Sequence, residues 1–476
     1  MRYTGFLLLV CGLVGVGPAC AQDALPGSVT EALRAAGVPA SSVAVLVQPA
    51  GADRPTLKHQ ANVPLNPAST MKLVTTYAAL ELLGPAYRWK TEAYLDGTRR
   101  DDALDGHLVL KGYGDPKLNY ESFWMLLRSL RGKGLRQLNG DLVLDRSHFA
   151  RTEEDAGRFD GEPFRPYNVA PDALLANFKS LRFAFLPEPE RGMVRIYVAP
   201  RPPALEVVNV LRLAKGGCPE GRAFIDLLKP TFEPARQRAI FSGQYPVSCG
   251  ERELNVALLS PADHLGGMAR ELWTEMGGTW SGIVRDGTTP AGAKPFHVHE
   301  SPALAEIARD MNKYSNNVMA RQLYLTLGAE SAGPPASGEN AARAVRQWLA
   351  AKGIAAPELV IVNGSGLSRS ERISAATFSA LLAAAWRSAV MPEFIASLPL
   401  VAVDGTMRRR LKGESVAGQA HIKTGLLADV RAMAGYVLDA RGQRHVVVML
   451  VNHPNAHASQ AAMDALLRWV YESAPS

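Results

Sequence analysis

Cysteine is scarce in this sequence. Four of the 476 residues are cysteines, namely Cys11, Cys20, Cys218 and Cys249. None of them has the close spacing of a metal site, and no cluster of histidine and cysteine accompanies them. This scarcity argues against metal chemistry, and we expect neither a metal nor a cofactor.

Long apolar segments are also missing. The stretch Phe6–Val14 is apolar but interrupted by glycine, and it is shorter than the about 20 residues of a membrane-spanning helix. Arg2 precedes it and the small-x-small triplet Ala19–Ala21 follows it, so residues 1–21 have the pattern of a cleaved signal peptide. The alternative is a lipidated N-terminus at Cys20, although the three residues before that cysteine include no aliphatic one.

Export would leave two cysteines in the mature chain, Cys218 and Cys249. In an oxidising compartment two cysteines favour one disulfide. Two separate buried thiols are the alternative, because a sequence does not show whether the Cα atoms come within bridging distance.

Repeats and a concentrated charge are absent as well. No internal repeat of solenoid period is visible, which argues against a repeat scaffold. Lysine and arginine outnumber aspartate and glutamate by 52 to 45, which gives a formal net charge of +7. Because the positive charges are scattered, nucleic acid is not an expected partner. An exported basic protein fits an anionic wall polymer better, with peripheral membrane association or none.

Helical and strand patterns occur in separate blocks. Residues 66–84 and 301–325 have helical patterns with start and stop signals. Residues 91–255 contain short β-branched or alternating runs between turn residues, which predict a mostly β segment. Residues 433–451 predict a β-hairpin and residues 457–473 a final helix.

These blocks predict an α/β (α+β) fold with an insertion. We expect one discontinuous domain, made of residues 22–90 and 256–476, to be interrupted by a β-rich insert over residues 91–255. The Ala/Gly/Pro-rich stretch 327–341 predicts a surface loop.

Ser69 and Lys72 lie three residues apart at the start of the first helical block. This spacing places the hydroxyl and the amine on one face of a helix. A lysine kept neutral by burial and by a second cation could accept the serine proton and activate the serine as a nucleophile. Alone, the pair is weak evidence, because an exposed Ser and Lys on a helix surface is the more common origin of this spacing.

Two further motifs supply groups that such a nucleophile needs. Ser315 and Asn317 lie between two predicted helices, where a hydroxyl could relay a proton and an amide could hold Lys72 and a substrate backbone; a helix-capping loop is the alternative. Lys423 begins a Lys-Thr-Gly triplet at the start of a predicted edge strand. Its charge could bind a carboxylate and lower the pKa of Lys72, although an edge lysine that prevents aggregation is the alternative.

The order S-x-x-K, S-x-N and K-T-G resembles the penicillin-interacting serine transferases. Ser69 and Ser315 are 246 positions apart in the sequence. This separation is larger than the one between the same two motifs in a compact β-lactamase. With three further segments, the arrangement resembles the class-C low-molecular-mass penicillin-binding proteins, a D-Ala-D-Ala carboxypeptidase/endopeptidase family with the transpeptidase-like fold of penicillin-binding proteins and β-lactamases. Those segments are Gly112–Leu118, Asn363–Arg369 and Asp404–Met407.

The resemblance implies a serine peptidase that forms an acyl-enzyme on Ser69, with Lys72 as general base. Ser315 would return the proton to the leaving amine. The partners it implies are peptidoglycan stem peptides and β-lactams in the periplasm. The other catalytic residues that it implies are Asn317 and Lys423.

The same resemblance implies residues that bind the substrate. Thr424 and Gly425 would hold its terminal carboxylate. Leu426 follows the glycine where family members tend to have Ser or Thr, so its backbone donor is kept but one side-chain contact is lost. Arg369 and Asp160 are candidates for reading the rest of the stem peptide, with plain surface charges as the alternative.

Two rival functions fit the same motifs. One is a β-lactamase or esterase built on the same site, which would turn over penicillin rapidly. The other is a non-catalytic wall-binding homologue that keeps the fold. The presence of all the reactive residues favours an enzyme.

Overall fold

The computed structural model of the protein describes residues 23–151 and 155–473. The predicted signal peptide, residues 1–21, and the alternative lipidation site Cys20 lie outside the described residues. Within those two ranges no helix has both the length and the apolar character needed to cross a bilayer.

Helices and strands are numbered in chain order. The α-helices are α1 Gly27–Ala35, α2 Lys72–Leu82, α3 Tyr120–Gly132, α4 Arg222–Leu228, α5 Pro261–Glu275, α6 Leu304–Lys313, α7 Asn317–Ala332, α8 Gly338–Ala351, α9 Ala375–Trp386, α10 Met391–Ser397 and α11 Gln460–Ser473. The β-strands are β1 Val43–Pro49, β2 Leu57–His59, β3 Lys90–Arg100, β4 Ala103–Gly112, β5 Gln137–Leu138, β6 Leu142–Asp145, β7 Leu181–Glu188, β8 Met193–Ala199, β9 Glu206–Asn209, β10 Arg212–Ala214, β11 Pro230–Glu233, β12 Arg238–Phe241, β13 Gln244–Pro246, β14 Arg252–Val256, β15 Thr279–Trp280, β16 Val284–Asp286, β17 His297–Glu300, β18 Ala420–Leu427, β19 Val430–Leu438 and β20 Arg444–Asn452.

A five-stranded antiparallel sheet lies at the centre of the first domain, in the order β18-β19-β20-β1-β2. Helices α2 and α6 to α10 pack on one face, and α1 and α11 pack on the other. β20 is a nearly continuous apolar run because both of its faces are buried. The predicted hairpin and final helix are confirmed as β19–β20 and α11.

The insert begins with a mixed sheet formed by β3 to β6 and β15 to β17, on which α3 and α5 pack. β15, β16 and β17 pair with β5, β6 and β3, respectively. The sequence placed the return to the first domain at residue 256, whereas α5 packs on the sheet of the insert and β15, β16 and β17 join that sheet. We therefore propose that the insert runs from Lys90 to Glu300.

Residues 181–256 form the outer part of the insert. Small sheets of β7, β8 and β14, of β9, β11 and β12, and of β10 and β13 surround an aromatic core that includes Phe183, Phe185 and Phe241. Cys218 and Cys249 form a disulfide in this part, with their Cα atoms 4.8 Å apart. The alternative of two separate thiols is therefore not what the structure has.

The predicted surface loop over residues 327–341 is wrong for most of its length. α7 continues to Ala332 and α8 begins at Gly338, so only a short turn separates them. Small residues here serve helix packing, since a Cβ added at Gly328 would lie 2.9 Å from the backbone nitrogen of Ala341 in α8. The mixed α/β fold itself is as expected.

Candidate active site

Ser69 lies in a tight turn that leads directly into α2. Residues 68–71 form a single 3-10 turn, and the hydroxyl of Thr70 donates a 2.7 Å hydrogen bond to the carbonyl oxygen of Pro67. The backbone N–H of Ala68 donates to the side chain of Asn66 at 2.9 Å. These local bonds fix the turn and leave Ser69 partly exposed at the amino end of the helix.

Lys72 is the first residue of α2 and is fully buried. Its Nζ lies 3.0 Å from the Oγ of Ser69. The same nitrogen donates to the Oδ1 of Asn317 at 2.7 Å and to the carbonyl oxygen of Ser365 at 2.5 Å. The amine is therefore held in one position, directly beside the serine hydroxyl.

Ser315 and Asn317 stand at the junction of α6 and α7. Ser315 has a φ of 56°, a left-handed conformation that turns the chain sharply between the two helices. Asn316 caps α7 by accepting from the backbone N–H of Met319 at 3.0 Å. The capping interpretation is thus correct for Asn316, while Asn317 reaches Lys72.

The Lys-Thr-Gly triplet lies on β18, beside the serine turn. The Nζ of Lys423 donates to the Oγ of Ser315 and to the carbonyl oxygen of Thr424, both at 2.8 Å. A Cβ added at Gly425 would lie 2.6 Å from the carbonyl oxygen of Pro67. Glycine is required there because the strand backbone passes this close to the turn.

The two lysines have strongly shifted protonation equilibria. Burial lowers the pKa of Lys72 well below the ordinary range, and the positive charge of Lys423 lowers it further. Burial also lowers the pKa of Lys423, to about 7. A neutral Lys72 beside Ser69 can accept the serine proton, which is what activation of the nucleophile requires.

Three groups in the site were not predicted from the sequence. The carbonyl of Ser365 accepts from Lys72, and Glu371 is fully buried behind it, accepting from the backbone N–H groups of Val362 and Asn363 at 3.1 and 3.2 Å. Thr406 lies 2.9 Å from Thr424, hydroxyl to hydroxyl. The Asn363–Arg369 and Asp404–Met407 segments had marked the region, but not these contacts.

Arg369 and Asp160 lie at one edge of the site. The guanidinium of Arg369 lies over the ring of Phe159, 5.2 Å from its centroid, and that ring packs near Ala68 of the serine turn. Asp160 accepts from the Tyr167 hydroxyl and from the Asn168 amide, both at 2.8 Å. Asp160 therefore orders the loop that lies over α7.

Leu426 follows the triplet and is 58% exposed. Its side chain points out of the sheet at the carboxyl end of β18, while Gly425 and Leu427 on either side are buried. The side chain supplies no hydrogen-bonding group where a Ser or Thr would, so the hydroxyls next to it are those of Thr424 and Thr406.

The sequence matches the model of the D-Ala-D-Ala carboxypeptidase 3 (S13) family over residues 25–472. The chain belongs to this family. A D-alanyl-D-alanine carboxypeptidase of an Actinomadura species is 29% identical over 423 residues, which cover 84% of this chain and 75% of that protein. The Haemophilus influenzae protein D-alanyl-D-alanine carboxypeptidase DacB is 25% identical over 391 residues, covering 81% of this chain and 80% of that one.

The fold agrees with this membership. The crystal structure of penicillin-binding protein 4 from Haemophilus influenzae superposes with a TM-score of 0.76 at 21% identity and covers 92% of this chain and 99% of that one. The family and the fold expected from the three motifs are therefore confirmed, and the protein is a serine-type hydrolase of the carboxypeptidase family.

Proposed function

We propose that the protein is a periplasmic serine D-Ala-D-Ala carboxypeptidase and D-alanyl cross-link endopeptidase that acts on peptidoglycan and is acylated by β-lactams. The single observation that carries this proposal is the buried Lys72, held 3.0 Å from Ser69 and 2.7 Å from Asn317. Family membership supports the substrate class.

In the acylation step, Ser69 attacks the carbonyl carbon of the penultimate D-alanine. Neutral Lys72 accepts the Oγ proton as the O–C bond forms. We assign the backbone N–H groups of Ser69 and Leu426 to the oxyanion hole, where they would stabilise the developing charge. Because Lys72 is buried and already positioned, little reorganisation accompanies the transfer.

The leaving amine departs on the Ser315 side of the site. Ser315 contacts Lys423, and we assign it the return of the proton to the amine as the C–N bond breaks. Water then hydrolyses the ester on Ser69 and releases the enzyme. The charged Lys423 and the hydroxyl of Thr424 bind the terminal carboxylate of the peptide, and Thr406 positions Thr424.

Arg369 and Asp160 contribute at the other edge. We assign Arg369 to recognition of the stem peptide, because its guanidinium is exposed beside the serine turn. Asp160 already accepts two side-chain hydrogen bonds, from Tyr167 and Asn168. Its role is therefore to hold the Tyr167 loop, with recognition of the peptide as a second contribution.

The test is a covalent adduct with a labelled penicillin. The protein should form a long-lived adduct that Ser69→Ala abolishes, and it should release D-alanine from a monomeric pentapeptide or convert a cross-linked muropeptide dimer to monomers. Rapid turnover of penicillin without an adduct would identify a β-lactamase instead. A folded protein with neither adduct nor cleavage would be a non-catalytic wall-binding homologue.

A further inference from the structure

A large cavity opens beside the leaving-group side of the site and continues along the insert. Its volume is about 1060 Å³, and the catalytic residues Ser315 and Asn317 are part of its lining. Small-molecule sites typically occupy about 300–1,000 Å³. One released D-alanine, a molecule of six heavy atoms, does not require a cavity of this size.

The cavity lining has charges of both signs. Arg182 and Arg252 lie on strands of the outer insert and both are exposed, and Arg182 lies 3.3 Å from Glu253 of the same lining. Glu271 and Glu275 lie four residues apart on α5 and also line the cavity. Because arginines bind carboxylates and glutamates bind ammonium groups, this lining matches a ligand that carries both.

Three exposed tyrosines line the cavity, and Tyr167, already bonded to Asp160, is the least exposed of them. Tyr197 of β8 is 57% exposed and Tyr314, next to Ser315, is 73% exposed. Large aromatic side chains left this open on a folded protein are typical of binding surfaces, since they offer a flat apolar face with a polar tip. They extend the binding surface from the catalytic residues to the insert.

We propose that this cavity binds the second stem peptide of a cross-linked dimer, the strand that carries the leaving amine. The proposal rests on the proposed function and deepens it. In a cross-link the leaving nitrogen is the amide nitrogen of a whole peptide that carries its own carboxylates, and it becomes an ammonium group when the C–N bond breaks. In the carboxypeptidase reaction the leaving nitrogen belongs to a single D-alanine. A cavity with both charges on the Ser315 side therefore fits the endopeptidase substrate.

Cleavage of the cross-link needs no reactant other than water. The Ser69 Oγ bonds to the D-alanyl carbonyl carbon, the amide C–N bond of the cross-link breaks, and the serine proton passes by Lys72 and Ser315 to the departing nitrogen. The second peptide leaves as a free amine through the cavity. Water hydrolyses the remaining ester.

The test compares two double variants of one hairpin. Arg182→Ala/Tyr197→Ala removes an arginine and a large exposed side chain from the cavity. Arg191→Ala/Met193→Ala is the matched control, because both residues are exposed in the β7–β8 hairpin and lie outside the cavity lining. For each protein, kcat/KM is measured on a cross-linked muropeptide dimer and on a monomeric pentapeptide, together with the rate of penicillin acylation.

We expect the cavity variant to lose about tenfold more activity on the dimer than on the monomer, a difference of about 1.4 kcal/mol, while the control keeps the wild-type ratio. Equal losses on both substrates, or no loss on the dimer, would overturn the inference but leave the proposed function standing. A wild-type protein without acylation or cleavage would overturn both.

A second measurement does not depend on the variants folding. A free stem tripeptide with the amine-bearing diamino acid should inhibit dimer cleavage by the wild-type protein at least tenfold more strongly than free D-alanine does. Equal inhibition by the two products would contradict occupation of the cavity by the second peptide.

Discussion

Two buried lysines in one site are costly unless each has several acceptors. Neutral Lys72 can donate to Asn317 and Ser365 and accept from Ser69, and Lys423 donates to Ser315 and Thr424. Burial disfavours the charged form of both amines. The site therefore keeps Lys72 neutral as a base and leaves Lys423 able to gain charge when a carboxylate arrives.

The pH dependence of acylation follows from these shifts. The rate constant for labelled penicillin should rise with pH while Lys72 loses its proton, and should fall above about pH 7 as Lys423 loses the charge that binds the penicillin carboxylate. Lys423→Arg should lack the alkaline fall, because a guanidinium stays charged. The same alkaline fall in both proteins would assign it to another group.

Glu371 predicts an unusual dependence of stability on pH. Burial raises the pKa of this carboxyl above 4.5. Stability is then lost as the pH rises from about 4.5 through the folded-state pKa, because the unfolded carboxyl ionises more readily. The free energy of unfolding of Glu371→Gln, relative to that of wild type, should therefore be larger at pH 8 than at pH 5. The expected increase is about 1.4 kcal/mol for each pH unit by which burial raises the pKa of Glu371. Thermal unfolding at the two pH values measures it.

Glu358 provides the control for this experiment. This carboxyl is also partly buried, yet hydrogen bonds from Ser374 and Thr377 hold its pKa below 4.5 in spite of that burial. Its contribution to stability is fully present above pH 5. Glu358→Gln should lose the same amount of stability at pH 5 and at pH 8. If the stability of both variants relative to wild type increased equally from pH 5 to pH 8, the role assigned to the burial of Glu371 would be refuted.

At the scale of elements, the Gly364–Gly366 loop lies directly against the serine turn. A Cβ at Gly366 would lie 1.9 Å from the carbonyl oxygen of Ala68, and the residue has a φ of +84°. The neighbouring Ser365 carbonyl accepts from Lys72, which links this loop to the first residue of α2. Their spacing is fixed by backbone contact.

Gly366→Ala should push the loop away from Ser69. We expect a loss of at least about 2 kcal/mol in stability, from the positive φ and the backbone clash together. The acylation rate should fall about 100-fold or more, because Lys72 loses its positioned acceptor. Gly413→Ala is the matched control: its φ is +77° but nothing lies within 4 Å, so a small loss of stability with normal acylation is expected.

The sequence predicted many of the helices and strands, but fewer of the contacts between them. The motif order predicted which side chains meet, because hydroxyl, amine and amide groups in that arrangement have few other uses. It could not reveal the Ser365 carbonyl, since a backbone group 293 residues from Lys72 has no side-chain signature. Likewise the pattern of residues 91–255 predicted strands there but not their pairing with β15, β16 and β17, because strand partners far apart in the chain leave no local pattern.

At the scale of the whole molecule, the insert is a separate structural layer on the catalytic domain. Its outer part has its own aromatic core, and its inner sheet includes strands from both ends of the insert. Because Ser315 opens into a cavity lined by the insert, the insert can select the substrate without supplying a reactive group. We therefore propose that the insert adds to substrate selection, while the reactive groups all lie on the catalytic domain.

This division predicts how the protein unfolds. The disulfide between Cys218 and Cys249 spans 31 residues within the outer insert, and closing a loop of this length stabilises by about 3–4 kcal/mol. Replacing both cysteines by serine should give a separate, earlier calorimetric transition, while labelled penicillin still acylates Ser69 after that transition. Loss of acylation together with the early transition would mean that the outer insert and the catalytic domain unfold as one unit.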